Sequence, residues 1–169
     1  MFIGKALVIA AAASGAAIPA SWQPVALDDW HVRAGDGSCS MILPLGQEGS
    51  ETVTGALTIG ARRDGLVIVN IGRQGWALPR ERGSIKIWFD DAYPKLRPLY
   101  DQAAELSAIN ENGSVYTVVD GNFAFLAGEK TSMDVVIEGE GLREPQRLTL
   151  PLGDMKSVFD EMNACLAAN

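Results

Sequence analysis

The sequence predicts a mainly β domain of the α+β kind, an antiparallel sandwich or partly open barrel with a C-terminal helix packed on its sheet. Three observations predict it. Short segments alternate apolar and polar residues, glycine-rich turn dipeptides separate them, and the last segment is amphipathic at helical spacing.

Taken in order, Trp30-His31-Val32-Arg33 alternates, Gly35-Asp36-Gly37 supplies a turn, and Cys39 to Leu43 returns as the second strand of a hairpin. Ala56-Leu57-Thr58-Ile59 and Leu66-Val67-Ile68-Val69 flank Asp64-Gly65, a dipeptide suited to the positive φ angles of a tight hairpin turn. Ile85-Lys86-Ile87-Trp88-Phe89 reads as a further strand through its alternation and its β-branched and aromatic content. Between Pro98 and Ile109 the residues Leu99, Ala103, Leu106 and Ile109 recur near helical spacing, which predicts a helix ended by Asn112-Gly113. Val115 to Val119 is then a strand, and Asp120 is placed to cap a short helix through Phe123, Phe125 and Leu126 that stops at Gly128. Met133 to Ile137 and Arg147 to Leu150 are the last strands. From Asp154, Met155, Val158, Phe159, Met162, Cys165 and Leu166 share one broad face of a helix that should lie on the sheet.

Residues 1–20 have the layout of a secretory signal peptide: one positive charge at Lys5, an apolar stretch from Ala6 to Ala13, then small residues and Pro19. Cleavage is expected after Ala20, in preference to Ala17, leaving a single β-rich domain over residues 21–169. The stretch loosens at Ser14-Gly15, short of the roughly 20 apolar residues a spanning helix needs, so no stable membrane anchor is expected. These features predict a periplasmic or secreted protein. The chain of 169 residues carries a formal charge of -7, and loss of Lys5 makes the mature domain more acidic still. Such a domain repels phosphate backbones, so nucleic acid is not an expected partner.

Two cysteines stand near opposite ends of the mature chain, in a compartment where thiols oxidise, and a Cys39–Cys165 bridge is expected. Their distance in sequence favours a structural bridge over a redox pair, which usually has close Cys-x-x-Cys spacing. It would tie the last helix to an early strand.

In the second half, Val115 to Asp120, Phe123 to Lys130, Met133 to Val136, Leu148 to Gly153 and Val158-Phe159 follow one another in a pattern that resembles the bacterial periplasmic proteins of the invasion-associated locus B type. The likeness covers residues 115 to 162, with Trp30-His31-Val32 echoing the Trp-x-Val opening of that family. A cysteine at position 165 departs from it. The resemblance implies an exported β-rich protein of a Gram-negative bacterium and lends no catalytic residue.

Candidate chemistry is sparse. His31 is the one histidine, no Gly-x-Ser-x-Gly elbow is present, and no cofactor, metal-binding or catalytic motif stands out. Asp28-Asp29 and Asp90-Asp91 lie at predicted strand borders, where they read as turn caps rather than as a carboxylate pair. Glu138, Glu140 and Glu144 lack the ordered spacing of a calcium loop. The segment Arg73 to Gly83 gathers Arg73, Arg80 and Arg82 around Trp76 and makes a possible binding loop for a carboxylate or phosphate. Its plainer reading is a long hairpin loop with Trp76 and Leu78 tucked into the core. The function expected is therefore non-enzymatic binding of an envelope or secreted protein or another envelope component. Inhibition of a hydrolase is the second reading, and an enzyme assembled from scattered residues the third.

Overall fold

A computed structural model describes residues 24–169, so the leader expected over residues 1–20 lies outside the described residues. The elements are β1 (Val25–Ala26), β2 (His31–Gly35), β3 (Ser38–Gly46), β4 (Gly55–Arg62), β5 (Val67–Gln74), β6 (Glu81–Phe89), β7 (Tyr100–Ile109), β8 (Asn112–Val119), α1 (Phe123–Gly128), β9 (Ser132–Glu138), β10 (Gln146–Pro151) and α2 (Met155–Ala168). All pairings are antiparallel, in the order β1-β3-β4-β5-β8-β7-β6-β9-β10, with β2 also on β3. Two overlapping Greek keys result, because β6, β7 and β8 form a meander whose two flanks are taken by β9 and β5. The sheet curls into a nearly closed barrel with α2 packed on it, within the architecture the sequence predicts. At the seam β1 approaches β10, and the indole N–H of Trp30 donates to the carbonyl of Leu152.

Alternation builds the core. Met41, Leu43 and Leu45 of β3, Leu57 and Ile59 of β4, and Val69 and Ile71 of β5 all point inward and are almost fully buried. Ile85 and Ile87 of β6, Val115 of β8 and Leu148 and Leu150 of β10 complete the lining. Each such side chain removed from water contributes about 1.5–3 kcal/mol before chain entropy is counted.

The two ends are closed by different means. At one end the β5–β6 connection inserts Trp76, 1% exposed, and Leu78. Gly113 of β8 must be glycine there, since a Cβ would strike the backbone and Cβ of Trp76. At the other end Phe123 of α1 packs against Tyr100 and Phe89, with ring centroids 5.2 and 5.8 Å away. α2 lies across the same end. Asp154 caps it by accepting from Ser157 N at 3.2 Å, Met155, Val158 and Met162 are buried, and Cys165 is bonded to Cys39 of β3. The expected disulfide is present, with 6.1 Å between the two Cα atoms.

Three local expectations are corrected. Residues 100–109 are strand, not helix, because β6 and β8 take the backbone hydrogen bonds on both sides. Leu99 and Ile109, two of the four residues of the supposed apolar stripe, are 55% and 69% exposed, while Tyr100, Ala104 and Leu106 face inward. The turn that follows is Asn110-Glu111, both at positive φ (50° and 66°), and Asn112-Gly113 already belongs to β8. Asp120 is not the helix cap. Asn122 occupies that position, and Asp120 accepts from Asn122 N to set the preceding turn. In the β4–β5 hairpin, the expected dipeptide is used in part, since within it Gly65 takes the left-handed conformation and Asp64 does not.

Candidate functional site

The residues with least explanation in the core lie outside the barrel, on β6, β9 and β10. Inward alternation puts Ile87, Val135 and Leu148 in the core, so Trp88, Asp134 and Thr149, which share one cross-strand row, should face water. Trp88 and Asp134 are nevertheless 6% and 2% exposed. What covers them is the connection between β6 and β7, residues 90–99, folded back as a strap over the outer face of the sheet.

Both feet of the strap are anchored. Asp90 and Asp91 turn the chain away from β6 at positive φ (48° and 56°). The Asp90 carboxylate accepts from Thr131 N at 2.9 Å, Thr131 Oγ1 at 3.1 Å and Ser132 N at 3.3 Å, with Lys130 Nζ at 3.5 Å. Burial opposes the charged form of Asp90, but those donors and the lysine outweigh it and hold its pKa below the usual value. At the far foot, Leu99 N donates to Ile87 O at 2.8 Å.

The middle is held from beneath. The indole N–H of Trp88 donates to Leu96 O at 2.8 Å, and the Tyr93 ring stands edge-on to Trp88 with centroids 4.8 Å apart. Arg147 places its guanidinium 4.2 Å from the centre of the Tyr93 ring and donates to Asp134 Oδ1 at 3.3 Å, while the Thr149 hydroxyl donates to the same oxygen at 2.6 Å. A buried carboxylate is tolerable only with such partners. The strap's upper surface then presents Lys95, Leu96, Arg97 and Leu99 to solvent, with Leu96 66% exposed. Two cations and two leucines are thus displayed on a firmly seated turn of an acidic protein.

The site residues anticipated from sequence are dispersed. Trp76 is a core plug, so its ring is not offered to a ligand. Arg73 lies half-buried in β5, where desolvation lowers its pKa; Arg80 is exposed; and Arg82, in β6, pairs with Glu105 of β7 at 3.1 Å. His31 faces Asp28 at 3.3 Å, both side chains more than half exposed, and is not placed beside Asp90 or these arginines by any contact. Among the described residues no group of three or more histidine, cysteine or acidic side chains could hold a metal ion, and no helix is long and apolar enough to cross a membrane. The sequence pattern carries only Leu99, the last residue of the strap, into the helix expected from Pro98, and gives residues 92–97 no element. The available signal was Asp90-Asp91 and Pro94, three turn formers within five residues of the end of a strand.

No family model, no curated protein and no solved structure matches the chain.

Proposed function

We propose that this protein is an exported, non-enzymatic binding protein of the periplasm or the extracellular space, and that it docks a protein or other envelope component on the strap over β6, β9 and β10. The observation that carries the reading is the display of Leu96 and Leu99 beside Lys95 and Arg97 on a loop anchored at both feet and from below. Folding alone gives no reason to leave two leucines in water there. A loop already held in place loses little conformational entropy on binding, so its apolar contacts translate more fully into affinity. Its cations favour an acidic partner surface and speed encounter. Export is supported by the leader-like residues 1–20, by the disulfide, and by the likeness of residues 115–162 to periplasmic proteins of the invasion-associated locus B type.

The test is a paired capture from envelope extract with the wild-type protein and Leu96→Ser/Leu99→Ser. Recovery of a defined partner by the wild type, lost in the variant at unchanged stability, is the expected result. Recovery of nothing above control, or equal recovery by both, would end the proposal. Inhibition of a hydrolase is a second reading favoured by the same strap, since a rigid loop presenting Lys95 and Arg97 suits an enzyme that cleaves after basic residues; protection assays against a protease panel separate the two.

A further inference from the structure

We infer that the face of the barrel across from the strap, the outer surface of β3, β4, β5 and β8, is the contact surface of a two-fold dimer of this chain. The strands' register puts their outward residues into cross-strand rows. Within these four strands the three rows from Ser40, Ile42 and Pro44 to Val118, Tyr116 and Ser114 contain no charged side chain, and charge resumes at their borders with Arg33 of β2 and Glu105 of β7. Exposed strand faces ordinarily carry charge, and this chain has a formal charge of -7 to distribute. Two copies of so acidic a molecule repel one another over most approaches, and a face without charge is where that repulsion is smallest.

Shape supplies the second argument. On the β8 side, Tyr116 and Val118 stand out, 41% and 45% exposed. On the β4 and β5 side the outward positions include Gly60 and, two rows away, Gly72, and a shallow depression of about 200 Å³ runs beside Gly60 between Ser40, Thr58 and Asn70, with Arg62 at its edge. Nothing inside the protein requires either glycine. Neither has positive φ, and an added Cβ would lie 3.4 Å from Ser40 Oγ at Gly60 and 3.9 Å from Gly113 O at Gly72. Glycine inside a strand is a cost to the isolated domain, and its usual reason is close approach of another backbone. A two-fold axis can place the Tyr116–Val118 ridge of each copy over the depression at Gly60 of the other, which is the self-complementarity an isologous interface needs.

Four strands at about 4.8 Å spacing and three rows at about 6.8 Å give a footprint of roughly 400 Å² per copy. That is about half the area per partner of a standard interface, so the dimer is weak and reversible. The strap lies outside this footprint, and the dimer would carry two straps. The inference does not depend on what the strap binds.

Sedimentation equilibrium of the full disulfide-bonded domain, from about 10 µM to 1 mM, tests it. A monomer–dimer equilibrium is expected, and it should strengthen as salt rises, because screening removes repulsion between like-charged copies. Thr58→Glu, at an outward position, should return the protein to monomer over the whole range, and Ser114→Asp should do the same should Thr58→Glu fold poorly. Leu96→Ser/Leu99→Ser should leave the dimer intact. A wild type that stays monomeric at 1 mM, or a folded charge variant that dimerises as the wild type does, overturns the inference and leaves the face to another partner. Weakening with salt would also overturn it, by pointing to a charged contact elsewhere.

Discussion

Asp90 and Glu138 show how single carboxylates on the surface of this barrel acquire structural roles. Glu138 lies 2.7 Å from Lys86 across β6 and β9, and that hydrogen bond, opposed in part by burial, holds its pKa below the usual value while raising that of Lys86. Asp90 is held low by the backbone N–H groups at the start of β9, against the effect of burial. A depressed carboxyl stabilises the fold above its unfolded value, here 3.8 for Asp90 and 4.5 for Glu138, and that contribution disappears as pH falls through the lower folded value. For Lys86 the sign reverses: its contribution is complete below 10.5 and is lost as pH rises through the raised folded value. Urea unfolding followed from pH 6 down to pH 2 should therefore show stability falling below about pH 4.5, and Asp90→Asn with Glu138→Gln should flatten that limb. Both side chains are more than a third exposed, so each contribution is under about 1 kcal/mol after solvent screening. At this scale the sequence was partly legible. Asp90 reads from sequence as a turn cap, and it does stand in a turn, but its carboxylate holds residues 130–132 and not its own turn, which depends on β6 and β9 being neighbours and which no local pattern states.

Hairpins carry most of the information at the level of elements. Gly35-Asp36-Gly37 and Asp64-Gly65 mark their turns in the sequence, whereas Asn110-Glu111 does so poorly, because glutamate is an unfavourable residue at positive φ. Glu111→Gly should therefore stabilise the domain by about 1 kcal/mol, since it removes the strain of a left-handed residue and leaves the bond from Gly75 N to the carbonyl of residue 111 in place. Thermal unfolding measures it, and a neutral or lowered midpoint would mean that the strain is relieved elsewhere. The same weak turn signal explains why residues 98–109 read as helix. Gln102-Ala103-Ala104-Glu105-Leu106 consists of good helix formers, and its strand conformation is decided by the hydrogen bonds of β6 and β8 on either side. α2 was legible for the opposite reason. Its cap at Asp154 and its apolar face lie within a few residues of one another, so the helix is specified locally.

Over the whole molecule, the Cys39–Cys165 bridge spans 126 residues and ties the helix that closes one end to the strand beside the seam. Chain entropy puts its contribution at up to about 4–5 kcal/mol, an upper figure, which is comparable with the net stability of a domain this size. Cys39→Ser/Cys165→Ser should lower the urea midpoint by a large fraction while keeping the β signature in far-ultraviolet circular dichroism; an unchanged midpoint would show that α2 is held by Met155, Val158 and Met162 alone. The sequence by itself determined the β-rich class, the first two hairpins, the amphipathic last helix and the pairing of the two cysteines. Each of these follows from periodicity and turn chemistry within a few residues, or from there being two cysteines to join. Only the tertiary structure decided the strand order, the strand conformation of residues 100–109, and the strap that covers Trp88 and Asp134. Those features depend on which distant strands become neighbours. That choice is made by the total apolar surface the closed barrel removes from water, a sum over the whole chain that no short segment contains.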